Sequence, residues 1–342
     1  MPTSGSRRAE TAPGTTLSAP ALRYMLRRLA QAPLVLLIVV ILQFFILHLA
    51  PGDVADVIAG EAQSADPQFV KKLRADLGLD QPMVMQLGLH IWRMLRLDLG
   101  NAHSLGAPVM ELIADRLPAT LLLMVCAITL AFFAGAALGM LAALRAGSLL
   151  DMVISVLALL FYATPAFLLG IGLILIFTVQ LNWLPMSGMS AVYGDASWWT
   201  HSLDVARHLV MPMVALGLFY VAIYTRLMRS AVLEVIHQDY IRTARAKGLL
   251  PLRIIWVHTA RNAVLPMVTM LGLQVGSLLG GAILVETVFG WPGIGRLAFE
   301  AVFRRDVPLV MGILFFSSLL VLAVSLLIDL IYTRLDPRIV LR

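Results

Sequence analysis

The sequence predicts an all-α membrane protein built from six transmembrane helices, and three observations predict it. Of 342 residues, 60% are hydrophobic and 13% are charged, whereas soluble domains average about 25% charged residues. Six charge-free stretches, at 29–50, 117–144, 152–180, 208–225, 262–285 and 307–328, approach or exceed the ~20 residues that a helix needs to cross a bilayer. Each run is continuously apolar, while the strands of a membrane barrel would alternate over about ten residues.

Taken in order, residues 1–21 are rich in Ser, Thr, Pro, Gly and Ala and have no apolar face to bury, which predicts a disordered tail. The apolar run that follows is too long for a cleavable leader and lacks a small-residue cleavage site. A transmembrane domain then occupies 22–342. Its largest loop, 51–116, carries helix signals of its own and is expected to form a helical extracytoplasmic insertion. Asp66-Pro67 reads as a helix start, with Val70, Leu73 and Leu77 as the apolar face, and Gly78 ends it. Pro82 opens a second stretch, in which Val84, Leu87, Ile91 and Leu95 recur at helical spacing. Two roles fit this loop equally: a cap packed on the bundle, or a docking surface for an external partner. Trp183, Tyr193, Trp198 and Trp199 in the loop 181–207 suit a headgroup belt. The Gly and Pro residues of 289–296 predict tight turns at the mouth of the bundle, where Glu286 is expected to reach water.

Charge sets the sides. The two ends, the loop around Arg145 and the segment 226–261 hold 16 basic and 6 acidic residues, leaving 10 basic and 14 acidic for the other loops. Both termini and 226–261 are therefore expected in the cytoplasm. The same bias accounts for the net charge of +6 without a nucleic-acid partner.

Several chemistries find no support in the residues. None of the three lysines sits in a phosphate-cradling loop, so ATP hydrolysis is not expected of this chain. No His-Glu-x-x-His pair or cysteine cluster suggests a metal, and Cys126 is the sole cysteine. The nucleophile elbow Gly-x-Ser-x-Gly is absent. No catalytic residue is assigned. An ion-coupled carrier would want ionisable groups at mid-membrane, and the span centres hold none. A driven carrier without an ion relay needs energy from another chain.

Attention then falls on 239–266, DYIRTARAKGLLPLRIIWVHTARNAVLP, where Arg242, Arg245, Lys247, Arg253 and Arg261 face a single acid, Asp239. Residues 233–246 read as a helix with Leu233, Ile236, Tyr240, Ile241 and Ala244 on one side. Gly248 breaks it, and Pro251 starts a second helix through Ala260. Ala244 and Ala246 at the exposed end would let backbones approach, and the basic residues would steer toward an acidic groove.

These residues resemble the EAA loop of binding-protein-dependent ABC importer permeases, in the version of the dipeptide/oligopeptide/nickel group. The resemblance rests on Asp239-Tyr240, on Arg242-Thr243-Ala244-Arg245-Ala246-Lys247-Gly248, and on His258, Arg261-Asn262-Ala263 and Pro266. Arg242 and Thr243 stand where the broader importer pattern has glutamate and alanine, a departure typical of the peptide group. Further matches are His48-Leu49-Ala50-Pro51-Gly52-Asp53, Arg116-Leu117-Pro118-Ala119-Thr120 and Leu184-Pro185-Met186-Ser187-Gly188. Val285-Glu286-Thr287-Val288-Phe289, Trp291-Pro292-Gly293 and Leu335-Asp336-Pro337-Arg338 complete the set.

The resemblance implies a type I ABC importer permease fold of the first-permease kind, in a prokaryotic inner membrane. It implies a second, similar permease, two cytoplasmic ATPase subunits (or one type twice) that hold ATP and Mg, and an extracytoplasmic solute-binding protein. Asp239, Tyr240, Arg242, Thr243, Ala244, Arg245, Ala246, Lys247, Gly248, His258 and Asn262 become the expected ATPase-coupling residues. Di- or oligopeptides are the implied cargo, with nickel or glutathione as alternatives within the family. An ion-coupled secondary transporter is the alternative from another class, and substrate-binding residues stay unassigned.

Overall fold

A computed structural model describes residues 19–49, 80–191 and 197–335, together with the single positions 68, 71 and 75. The expected helix start at Asp66-Pro67, its apolar face, Tyr193 and Asp336-Pro337-Arg338 lie outside the described residues.

The chain is helical almost throughout. Helix α1 spans Ala19–Leu49, beginning inside the stretch expected to be a tail. Helix α2, Met83–Leu95, starts after Pro82 as expected. A two-residue antiparallel pairing follows, β1 (Asn101–Ala102) with β2 (Ala107–Pro108). Helix α3 is Val109–Leu144, α4 is Leu149–Ala163, and α5 is Ala166–Leu173, continued by a π-helical turn, Ile174–Gln180. Helix α6 is Trp198–Ile236 and α7 is Asp239–Ala246. Helix α8, Pro251–Arg253, runs through a π-helical turn, Ile254–Ala260, into α9, Arg261–Ala263. The last three helices are α10 (Leu265–Val288), α11 (Ile294–Phe303) and α12 (Val307–Leu335).

Four of these helices are long and apolar enough to cross a membrane: α1, α3, α6 and α12. Two bent pairs raise the number to six if each is one span. One pair bends by 106° between Ala163 and Ala166, and the other by 63° between Gln274 and Gly276. Pro165 accounts for the first bend, since it has no N–H to continue the ladder of α4. The stretch 208–225, expected to be the shortest span, is a segment of the longest helix. Apolar composition reports only the part that lipid touches, while the 39-residue α6 extends to ~58 Å at 1.5 Å per residue, past a hydrocarbon core of ~30 Å.

The bundle closes on small residues. Ala127, Ala131, Gly135 and Gly139 recur every fourth residue along α3, all buried, and meet α6. A Cβ on Gly139 would stand 2.5 Å from the carbonyl oxygen of Thr225 and 2.7 Å from Cβ of Met228. Close backbone approach of this kind lets helices pack where lipid gives no hydrophobic drive. Leu123, Met211, Leu216, Tyr224, Met267 and Val285 fill the core around this crossing.

A second core lies at the far end of the bundle from α7. Val40 of α1, Met94 of α2, Val109 and Ile113 of α3, Leu297 and Ala301 of α11, and Leu309 of α12 pack together. The described part of 51–116 is thus a cap seated on the bundle. Asp306, buried between α11 and α12, accepts hydrogen bonds from the N–H and hydroxyl of Ser104, both at 2.8 Å, and from the N–H of Leu309 at 3.2 Å. It joins the β-pairing to the start of α12.

Candidate functional site

Helix α6 stops at Ile236, and His237 and Gln238 turn the chain into α7. A single helix over 233–246 is therefore replaced by two with a corner between them. Ile241 and Ala244 on one side of α7 meet Ile254 from the π-helical return, with Val235 and Leu249 at the margin. This small core is what makes the stretch a hairpin. Ala244 points into it and is buried, so it is not at the exposed end, as expected from sequence. A short helix with two apolar residues has to spend them on its own anchorage.

The turn after α7 is a full Schellman cap. The N–H of Gly248 donates to the carbonyl of Arg245 at 3.0 Å, and the N–H of Leu249 donates to that of Ala244 at 3.3 Å. Gly248 has φ +74°, the left-handed conformation that the cap requires and that a glycine adopts freely. Leu249 against Ala244 supplies the apolar contact that accompanies the motif.

A polar tie closes the other side. Nδ2 of Asn262 donates to the hydroxyl of Tyr240 at 3.0 Å and to the carbonyl of His258 at 2.8 Å. His258 thus joins the hairpin through its backbone. Thr243 donates its hydroxyl to the carbonyl of Asp239 at 3.0 Å. The Arg242–Asp239 pair spans 3.7 Å with side chains 72% and 98% exposed, a geometry in water that contributes little stability. Asp239, Arg242, Thr243, Arg245, Ala246, Lys247 and Gly248 are all exposed, so the hairpin presents a basic outer face. Sequence reasoning missed a feature beside it: Leu250, Leu252 and Trp256 are 73%, 69% and 68% exposed. Their pattern looked like an ordinary helix start, and only the π-helical register shows which residues turn outward.

A second connection at the same end also went unread. The guanidinium of Arg229 on α6 donates from Nε to Asp151 Oδ1 at 2.6 Å and from a terminal nitrogen to Oδ2 at 2.8 Å. The N–H of Gly147 adds a bond to Oδ2 at 3.0 Å, and Ser148 caps α4 by accepting from the N–H of Asp151. Asp151 is buried. The pair fastens the turn before α4 to α6 about two turns ahead of the hairpin.

At the opposite end, Glu286 is fully buried rather than in reach of water. The hydroxyl of Thr120 donates to its Oε1 at 2.7 Å and the N–H of Arg296 donates to Oε2 at 3.0 Å. The same Thr120 oxygen accepts from the N–H of Ile294 at 2.8 Å, and the indole of Trp291 donates to the carbonyl of Ala119 at 2.9 Å. The carboxylate sits over the first turn of α11, where free N–H groups favour negative charge. Gly293 and Gly295 leave room for it, since a Cβ on Gly293 would overlap the carboxyl. The turn-forming glycines were legible in the sequence; the acid folded beneath them was not.

Comparison with known proteins places this arrangement. A family model described as "Binding-protein-dependent transport system inner membrane component" matches residues 135–341. A companion described as "Binding-prot-dependent transport system membrane comp, N-term" matches residues 21–124. A protein of Brucella suis biovar 1 named as a peptide transport system permease is 40% identical over 315 residues, covering 92% of this chain and 98% of that protein. The dipeptide transport system permease protein DppB of Escherichia coli K12 is 40% identical over 338 residues, covering 93% of this chain and 98% of DppB. Among solved structures, the MetNI methionine ABC transporter in inward-facing conformations matches with TM-score 0.54 at 18% identity, over 66% of this chain and 97% of that one. At that identity the likeness concerns the fold, which is that of an ABC importer permease.

Proposed function

Since this chain belongs to the family of binding-protein-dependent transport system inner membrane components, we propose that it is the permease subunit through which an ABC importer passes di- or oligopeptides. The observation that carries this reading is the match, at 40% identity over more than nine-tenths of the chain, to a dipeptide permease and to a peptide permease. It is a transport subunit of the inner membrane and not an enzyme.

The partners follow from the work such a subunit does. A solute-binding protein delivers peptide at the capped end, and ATPase subunits supply the energy at the hairpin end. A second, similar permease completes the path, and two ATPase subunits hold ATP and Mg. The basic excess of 226–261 and of both termini supports a cytoplasmic side for them.

Coupling runs through the hairpin. Arg242, Arg245 and Lys247 are exposed on α7 and Leu250, Leu252 and Trp256 on the return arm, so the hairpin offers both basic and apolar groups. That combination fits a groove on the ATPase that is acidic at its rim and apolar at its floor. Tyr240, Asn262 and His258 hold the two arms together, and Gly248 sets the turn. ATP and loaded binding protein each favour one state of a bundle with two arrangements, and the hairpin carries the bias between them. The test is to reconstitute the complete transporter with its binding protein and add dipeptides, longer peptides, nickel or glutathione. Peptide-stimulated ATP hydrolysis and uptake are expected; stimulation by nickel or glutathione alone would overturn the peptide reading.

A further inference from the structure

The centre of the bundle carries a polar and aromatic cluster that the apolar sequence conceals. Tyr162 on α4 lies two residues before Thr164-Pro165, where that span bends by 106°. Its ring stacks on Phe219 of α6, with centroids 5.2 Å apart and planes at 14°. Phe219 meets Tyr220 edge to face at 5.2 Å. Tyr220 donates its hydroxyl to Ser277 of α10 at 3.3 Å, and Ser277 Oγ lies 2.9 Å from Gln274 Oε1 and 2.8 Å from the Gln274 carbonyl. Gln274 and Ser277 flank the 63° bend of the other broken span. Both bends therefore converge, through side chains, on the middle of α6.

The cluster has an inner and an outer side. Tyr220 is 3% exposed and belongs to the core, whereas Tyr162 is 45% exposed and Ser277 is also open. Among the described residues, the Tyr162 hydroxyl and the Gln274 amino group make no hydrogen bond. Hydroxyl and amide groups open to hydrocarbon at mid-membrane are costly. Irregular backbone and polar side chains at that depth belong where protein or water covers them. Exposed polar side chains with unused donors, at the two points where spans break, suit a path rather than a lipid surface.

We propose that Tyr162, Gln274 and Ser277 form a mid-membrane contact site for the passing peptide, one that takes its backbone amides rather than its charged ends. The cluster offers neutral donors and acceptors and a flat ring, with no formal charge to bind a terminus or to select a side chain. Neutral hydrogen bonds are also weak enough to release a substrate in transit. This assignment rests on the peptide-importer reading above.

The test uses the complete transporter in proteoliposomes, with Cys126→Ala and either Ser277→Cys or Gln274→Cys. A charged, membrane-impermeant thiol reagent and a lipid-soluble maleimide are applied separately, with and without a saturating dipeptide, in one nucleotide state. Labelling by the charged reagent is expected, slowed roughly fivefold or more by peptide, since a thiol at a site filled about four-fifths of the time reacts only in the remainder. Reaction with the lipid-soluble reagent only would place the face in lipid. No reaction with either would bury it against the second permease. Charged-reagent labelling indifferent to peptide would leave a wet path without a contact site. Each of these results overturns the proposal. Failure of the peptide reading itself is distinct, because the unsubstituted transporter would then show no peptide uptake.

Discussion

Replacing Gly248 tests the proposed coupling role of the hairpin at a point where the structure isolates a single cause. A Cβ there would meet nothing within 4 Å, so crowding is excluded and the whole effect comes from φ +74°. An alanine forced into the left-handed region costs about 1–2 kcal/mol, which shifts the balance of formed to frayed hairpin roughly 5- to 30-fold. Asparagine tolerates that region better than alanine does. Proline is worst, since its fixed φ forbids the conformation and it cannot donate the 3.0 Å bond that Gly248 gives to Arg245. The measurement is peptide taken up per ATP hydrolysed by the reconstituted transporter, with membrane insertion checked separately. Coupling should fall in the order glycine, asparagine, alanine, proline, while insertion stays constant. Alanine coupling as well as glycine, or asparagine coupling worse than alanine, would refute the argument that the left-handed cap holds the working face in place.

Other consequences can be checked alongside. Exchanging the charges of Asp151 and Arg229 singly should lower transport per ATP, and the double exchange Asp151→Arg with Arg229→Asp should recover part of it; a double exchange no better than the singles would remove the link between α4 and α6. Gly139→Leu inserts bulk where even a Cβ lies 2.5 Å from Thr225 oxygen; overpacking of this kind costs about 1–3 kcal/mol or more and should lower the melting temperature of the purified complex. Gly172→Ala, with nothing within 4 Å, serves as the neutral control. Glu286→Ala leaves the Thr120 hydroxyl and the Arg296 N–H without an acceptor, a loss of about 1–3 kcal/mol. Glu286→Gln keeps one acceptor oxygen, so it should be milder in a thermal-unfolding assay, and equal loss in the two would count against the capping role.

The fold was legible because lipid imposes a simple code. Continuous apolar length marked the six stretches, and the Pro82 and Gly248 signals marked helix boundaries that the structure keeps. The outer limits of α3 and α6 were not legible, because helix continues beyond the lipid in segments whose composition resembles a loop. Of the hairpin, the turn at Gly248 and the basic residues could be read directly. The inward aim of Ala244 could not, because it depends on Ile254 arriving from across the turn. Asp151–Arg229, Glu286–Thr120 and the Tyr162–Gln274 cluster unite residues 78, 166 and 112 positions apart. No local pattern records such pairings.

The small-residue crossing of α3 and α6 has a mechanical corollary. On the α3 side the joint presents only Ala127, Ala131, Gly135 and Gly139, so the backbones of α3 and α6 come into direct contact there. The two helices are thereby fused into one strut. Under the coupling proposed above, a push at the hairpin would travel along this strut toward the capped end. The two kinked spans, at 106° and 63°, are then the points where such a frame would bend.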